Sequence, residues 1–200
     1  MLSTLFFKLN RTNDVEYGNN QTGQDRNNLS ACSAGSEENV TDQSNSGNDD
    51  AENHQALRSG RIVHLGLMDS DCPYVVPMHY GLEIENRAWI LYLHSASSGH
   101  KIDLIRNNPV CFAEIDCDME LISGGDNACS YGTAFSSVMG KGTVEVLEKP
   151  EEKIHGLQVL MEHQTGRSFE IAPSATEHVC VLKVTLPHIT GKKRRKPFEG

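Results

Sequence analysis

The chain has 200 residues, 38% hydrophobic and 6% aromatic, with a formal charge of −9 from 18 Lys/Arg against 27 Asp/Glu. That length holds one domain of ordinary size, the acidic balance argues against a nucleic-acid partner, and no run approaches the roughly 18 apolar residues a membrane span needs. Six cysteines (Cys32, Cys72, Cys111, Cys117, Cys129 and Cys180) form neither a CxxC pair nor a dense scaffold, so they read as reduced thiols of a cytoplasmic protein.

The opening Met1 to Leu9 has an apolar patch at Leu5, Phe6 and Phe7, with no long apolar core and no small-residue cleavage site after it, so export is not expected. Residues 1–56 are dominated by Asn, Ser, Asp, Gly, Gln and Glu. Such a segment buries too little surface to offset the entropy of ordering it; it is expected to be irregular, a passive extension before a partner-binding tail. The folded domain is expected over residues 57–190, followed by a basic tail at 191–200.

A strand is predicted from Arg61 to Met68, ending at the turn Asp69-Ser70-Asp71. Cys72 to Leu82 reads as strand, with Pro77 tolerable only at an edge or bulge. Ala88 to His94 makes a third, and the three would form a meander. A small polar loop, Ser95 to Lys101, leads into a short helix marked by Ile102, Leu104 and Ile105 and stopped before Pro109. Val110 to Asp116 and part of Ala134 to Leu147 read as strands, with Gly140 and Gly142 marking a bulge or a close approach. An amphipathic helix from Glu151 ends at Gly166, and Val179 to Leu186 is a last strand. Hairpin-connected strands with two helices predict a mainly β fold, an antiparallel barrel plugged by helices.

The segment richest in chemistry is Leu91-Tyr-Leu-His-Ser-Ala-Ser-Ser-Gly-His-Lys101. A phosphate monoester needs several donors and a cation held close together, with small residues that let backbone N–H groups approach. Ser95, Ser97 and Ser98 offer hydroxyls, Gly99 allows approach, Lys101 brings charge, and the following helix presents its positive end. The alternative is a polar helix-capping loop with Lys101 solvated.

In chain order, Pro73-Tyr-Val-Val-Pro77, Tyr80-Gly81, Leu91 to Lys101, Asn108-Pro-Val-Cys-Phe112 and Ser136-Ser-Val-Met-Gly-Lys-Gly142 resemble the pyridoxamine 5′-phosphate oxidase-like superfamily, in particular its nitroimidazole-resistance reductase branch. The resemblance implies an FMN-binding split β-barrel, a homodimer with flavin at the interface, acting on a small molecule with NAD(P)H as a possible electron donor. It implies that Val76, Pro77 and Met78 lie along the flavin ring. Ser95, Ala96, Ser98, Gly99, His100 and Lys101 would hold the phosphate end, with His94 as a flavin or substrate contact and Ser137 as a second phosphate-side or ribityl contact. His79, beside the ring-facing strand, is the candidate to touch substrate. The branch commonly begins with a short basic helix, where this chain has its Asn/Ser/Asp-rich segment.

Two alternatives stay open. A haem-binding barrel would use His79 or His94 as axial ligand, and a non-catalytic flavin-binding module would need neither substrate nor donor. His94 is otherwise a strand-end histidine satisfied by backbone, and His163 a surface residue of the last helix. No ligand spacing such as HExxH is present, so no dedicated metal site is expected. Cys111 reads as core, Cys129 as structural or a dimer contact ahead of a chemical role, and Lys192 to Lys196 as a solvated tail ahead of an anion-binding one.

Overall fold

The computed structural model describes residues 50–196, so the reading of residues 1–49 lies outside the described residues. The helices are α1 (Asp50–Ser59), α2 (His100–Asn107) and α3 (Pro150–Thr165). The strands are β1 (Ile62–Met68), β2 (Pro73–His79), β3 (Gly81–Glu85), β4 (Ala88–Ser95), β5 (Val110–Ile122), β6 (Gly132–Leu147), β7 (Cys180–Leu186) and β8 (Thr190–Arg194). All pair antiparallel in the order β2-β1-β5-β6-β7-β4-β3, with β8 on β6, and the ends of this path do not join. The architecture is the mainly β split barrel expected from the sequence.

Period-two alternation sets the inner face. Along β1, Val63, Leu65 and Leu67 are buried while His64 and Gly66 face outward. In β4 the residues from Trp89 to Leu93 are buried on both faces, because α3 lies over β3, β4 and β7 and covers the second face. Each fully buried Leu, such as Leu65, Leu91 or Leu182, contributes about 2 kcal/mol through lost apolar exposure.

Several local expectations are corrected. The meander is not formed, because β2 and β3 stand at opposite ends of the sheet path. Only Tyr80 separates them, too little chain for a hairpin turn. Tyr80 is fully buried and its hydroxyl donates to the Leu57 carbonyl at 2.5 Å, which anchors the crossing. Residues 50–56 belong to α1, whose narrow buried stripe of Asn53, Ala56 and Leu57 follows i, i+3, i+4 spacing within an otherwise polar segment. Lastly, Thr190 to Arg194 is not a solvated tail; it pairs with Met139 to Phe135 of β6.

The remaining elements fall where expected, with β5 running on to Ile122. A register shift between Cys117 and Glu120 bends β5, with Asp118 at φ 55. Of the two alternatives at Gly140 and Gly142, a bulge or a close approach, the structure has the close approach. A Cβ at Gly140 would stand 2.7 Å from the His188 carbonyl oxygen, where the chain passes from β7 to β8. His163, expected at the surface, is half-buried: its Nε2–H donates to the Gly60 carbonyl at 2.8 Å and its ring lies against Tyr80. Among the described residues no helix is long and apolar enough to cross a membrane.

Candidate functional site

β4 ends in His94 and Ser95, which pair with Val181 and Cys180 of β7. The chain then leaves the sheet through Ala96 to Gly99, all exposed, and enters α2 at His100. Gly99 adopts φ 124 and ψ 168, a conformation that side chains with a Cβ rarely reach. Its carbonyl accepts from Ile102 N–H at 2.9 Å and Asp103 N–H at 3.2 Å, and no side chain caps the helix. The first turn of α2 therefore turns uncapped N–H groups toward the loop.

Lys101 follows one residue into the helix and is half-buried. Burial lowers its pKa from the ordinary lysine value, partly offset by the nearby Cys180 thiol. No carboxylate pairs with it among the described residues. Ser95 is 8% exposed and its hydroxyl oxygen has no hydrogen-bond partner among the described residues. A buried hydroxyl without a partner and a half-buried cation without a counter-charge each cost stability. An anion with several acceptor oxygens answers both, so a phosphate fits these residues.

β2 comes alongside β4 without pairing to it, which brings His79 near His94. The His94 pKa is lowered, first by burial, then by the charges of His79 and Lys101. The imidazole is thereby held neutral at pH 7, able to donate from one nitrogen and accept at the other. The three strand positions expected on one ring face are split by the pleat: Met78 is buried in the core, Val76 packs against that core, and Pro77 points outward on the exposed face.

His100 is committed elsewhere. Its Nε2 lies 2.7 Å from Asp69 Oδ2 and its ring meets Tyr74 edge-on at 5.2 Å, tying the start of α2 to the β1–β2 turn. The Ser70 backbone N–H, and after it the His100 contact, hold the Asp69 carboxyl below its ordinary pKa. Asp69, Tyr74 and Cys180 all border the loop, and only strand pairing reveals them.

Ser137 is not brought to the loop within one chain. It sits on β6 opposite Asp116 and Lys192, ten residues from Leu147, the β6 residue whose row reaches His94 through Val181. At about 3.3 Å per residue that is roughly 33 Å of strand.

Among the described residues the cysteines do not form a redox cluster. Burial pushes the Cys111 thiol up to about 11, burial and the Asp118 carboxylate push Cys117 up to about 12, and Cys129 stands exposed in the turn Ala128–Ser130.

A family model described as pyridoxamine 5′-phosphate oxidase matches residues 49–193. The chain belongs to this family. Its match includes α1 as well as the whole sheet, up to one residue short of the end of β8. One similar solved structure, named as a putative 5-nitroimidazole antibiotic resistance protein from Bacteroides thetaiotaomicron, is 32% identical. It covers 74% of this chain and 85% of its own, with a TM-score of 0.63. The flavocytochrome Anf3 from Azotobacter vinelandii is 18% identical over 76% of this chain and 71% of its own, TM-score 0.60. An FAD and haem binding protein from Mycobacterium smegmatis is 12% identical over 77% and 76%, TM-score 0.62. At such identities the last two show the shared fold alone. A search of curated proteins gives no match.

Proposed function

We propose that this family member is an FMN-dependent oxidoreductase that reduces a small electrophile, such as a nitroaromatic, with electrons from NAD(P)H. The observation that carries the reading is the pairing of an orphaned Ser95 hydroxyl with an unpaired, half-buried Lys101 at the uncapped start of α2. Flavin, when bound, supplies the two-electron chemistry. Lys101 would meet the phosphate charge, Ser95 would donate its hydroxyl, and the exposed loop through Ser98 and Gly99 would bring backbone N–H groups to the same oxygens.

Pro77 presents its ring on the outer face of β2 and Val76 supports the strand beneath it. His79, next along β2 and within electrostatic reach of His94, is the residue assigned to the substrate side. A neutral His94 can hold a hydrogen bond there without adding a second cation beside Lys101. The name of the 32% identical relative, a putative 5-nitroimidazole antibiotic resistance protein, supports the substrate class.

The reading includes a homodimer, in which a second copy brings its Ser137 to the loop that this chain's own Ser137 does not reach. Exposed Val75, Phe112 and Met139 on the outer face of β2, β5 and β6 offer apolar surface for such a contact.

The test is to purify the protein without added cofactor, record its visible spectrum, denature it and identify what is released. FMN near one equivalent per chain, bleached by NAD(P)H and recoloured by a nitroaromatic, is the expected result. Bound FMN that no nicotinamide reduces would leave a flavin-binding module. A Soret band would assign the site to haem, and a colourless protein that also ignores added FMN would overturn the flavin reading.

A further inference from the structure

His64 lies on the outer face of β1 and is paired across the ladder with Glu114 of β5; Asp116 follows two residues later on the same face of β5. The His64 Nδ1 is 3.1 Å from Glu114 Oε2 and 3.8 Å from Asp116 Oδ1. All three ligand atoms fall within 4.8 Å of one another. We propose that His64, Glu114 and Asp116 form a site for one divalent transition-metal ion, with Zn2+ the ion its donor set favours.

The distances suit such an ion. Zinc holds nitrogen and oxygen ligands at about 2.1 Å, so ligand atoms on a tetrahedron around it stand about 3.4 Å apart. The two separations from the imidazole, 3.1 and 3.8 Å, bracket that spacing. One imidazole and two carboxylates also discriminate between metals. The imidazole disfavours Ca2+ and Mg2+, which take oxygen donors, and the absence of thiolate disfavours Cu(I). Of the ions that remain, manganese and ferrous iron bind such a set more weakly than zinc, and Cu2+, which binds more tightly, prefers a tetragonal arrangement to the tetrahedron that these separations fit.

Charge points the same way. With the imidazole neutral, as metal ligation requires, two carboxylates face each other across a few ångströms on a low-dielectric sheet surface, and a dication offsets both. The ligands need little rearrangement, because all three stand on adjacent, hydrogen-bonded strands rather than on a loop. The side chains are 43%, 32% and 31% exposed, which leaves the fourth position open to water or to a small ligand. His64 is also the ladder partner of Pro77, so the ion would sit one strand away from the face assigned to the flavin ring.

The site lies on the outer face that also carries Pro77, Phe112 and Met139, so flavin content and oligomeric state are measured alongside metal binding to keep the two readings apart. Untagged protein is stripped with a chelator, and Zn2+ is titrated in by calorimetry, with flavin content measured on the same samples. We expect one Zn2+ per chain. His64→Gln, Glu114→Gln and Asp116→Asn should each weaken binding by at least about ten-fold with little change in the metal-free melting temperature, since all three side chains lie on the open face. Co2+ as a spectroscopic probe should show weak visible bands with no thiolate charge transfer. Failure to bind Zn2+, binding that survives all three substitutions, or a thiolate band pointing to cysteine would overturn the proposal.

Discussion

Glycines mark two neighbouring regions of this molecule for opposite reasons. Beneath α3, Gly81 and Gly156 stand where a side chain has no room: a Cβ on Gly81 would run into the Leu160 backbone, and one on Gly156 would stand 2.7 Å from the Tyr92 ring. At the loop before α2, a Cβ on Gly99 would meet nothing within 4 Å, and glycine is needed there for its φ of 124. The first region has no room at its glycines and has the polar groups of Tyr80, His163 and Gln164 answered. The second holds an unanswered hydroxyl and an unanswered charge. Stability is concentrated in one, and the capacity to bind is left in the other.

Substitutions should break that contrast in predictable steps. Gly81→Val is expected to cost about 4 kcal/mol or more, because α3 must lift off β3 to admit the side chain; urea unfolding or loss of soluble protein would report it. Lys101→Gln should weaken FMN binding by about 1.5–3 kcal/mol, the worth of a charge-assisted hydrogen bond. Its unfolding midpoint should hold or rise, since the ammonium has no carboxylate to lose and its burial is a cost. Equal losses of stability and affinity would refute the division. Tyr80→Phe leaves the Leu57 carbonyl without its buried donor and should cost about 1–2 kcal/mol in chemical denaturation.

Smaller effects sharpen it. Ser95→Ala removes an orphaned hydroxyl and should raise unfolding stability by up to about 1 kcal/mol while lowering FMN affinity, two changes of opposite sign. His94 and His163 both have folded pKa values lowered from 6.5, chiefly by burial. The stability linked to them is present above pH 6.5 and is lost as pH falls through their folded pKa values, because the unfolded chain takes up the protons first. His163→Gln should therefore flatten the acid-side slope of melting temperature against pH.

Much of this organisation was legible in the chain. Alternating apolar residues marked β1 and β7, Pro109 and Gly166 marked the ends of α2 and α3, and the Ser/Gly-rich run marked the loop that holds Ser95 and Lys101. What escaped has a common cause. β8 is written in Lys and Arg, whose charges hide a strand that needs only backbone pairing to β6. In α1, polar residues surround a stripe of three buried positions. The nearness of His79 to His94, the Asp69–His100 pair and the trio around His64 arise from strand order and register, which no local pattern encodes. The spacing of 50 residues between His64 and Glu114 carries no ligand signature of its own.

β6 is the residue-by-residue spine of the fold, sharing ladders with β5, β7 and β8. Its last partner to be synthesised is β8, and the contact between Arg195 and Glu52 of α1 spans 143 residues. On the ribosome, one edge of β6 must therefore wait uncovered while more than forty further residues are made. The nascent chain passes through a stage in which β5 can flank β6 on one side while the Phe135–Met139 edge has no partner on the other. The charged composition of the final strand suits it to that order of events, because a segment rich in Lys and Arg stays soluble until the moment it docks.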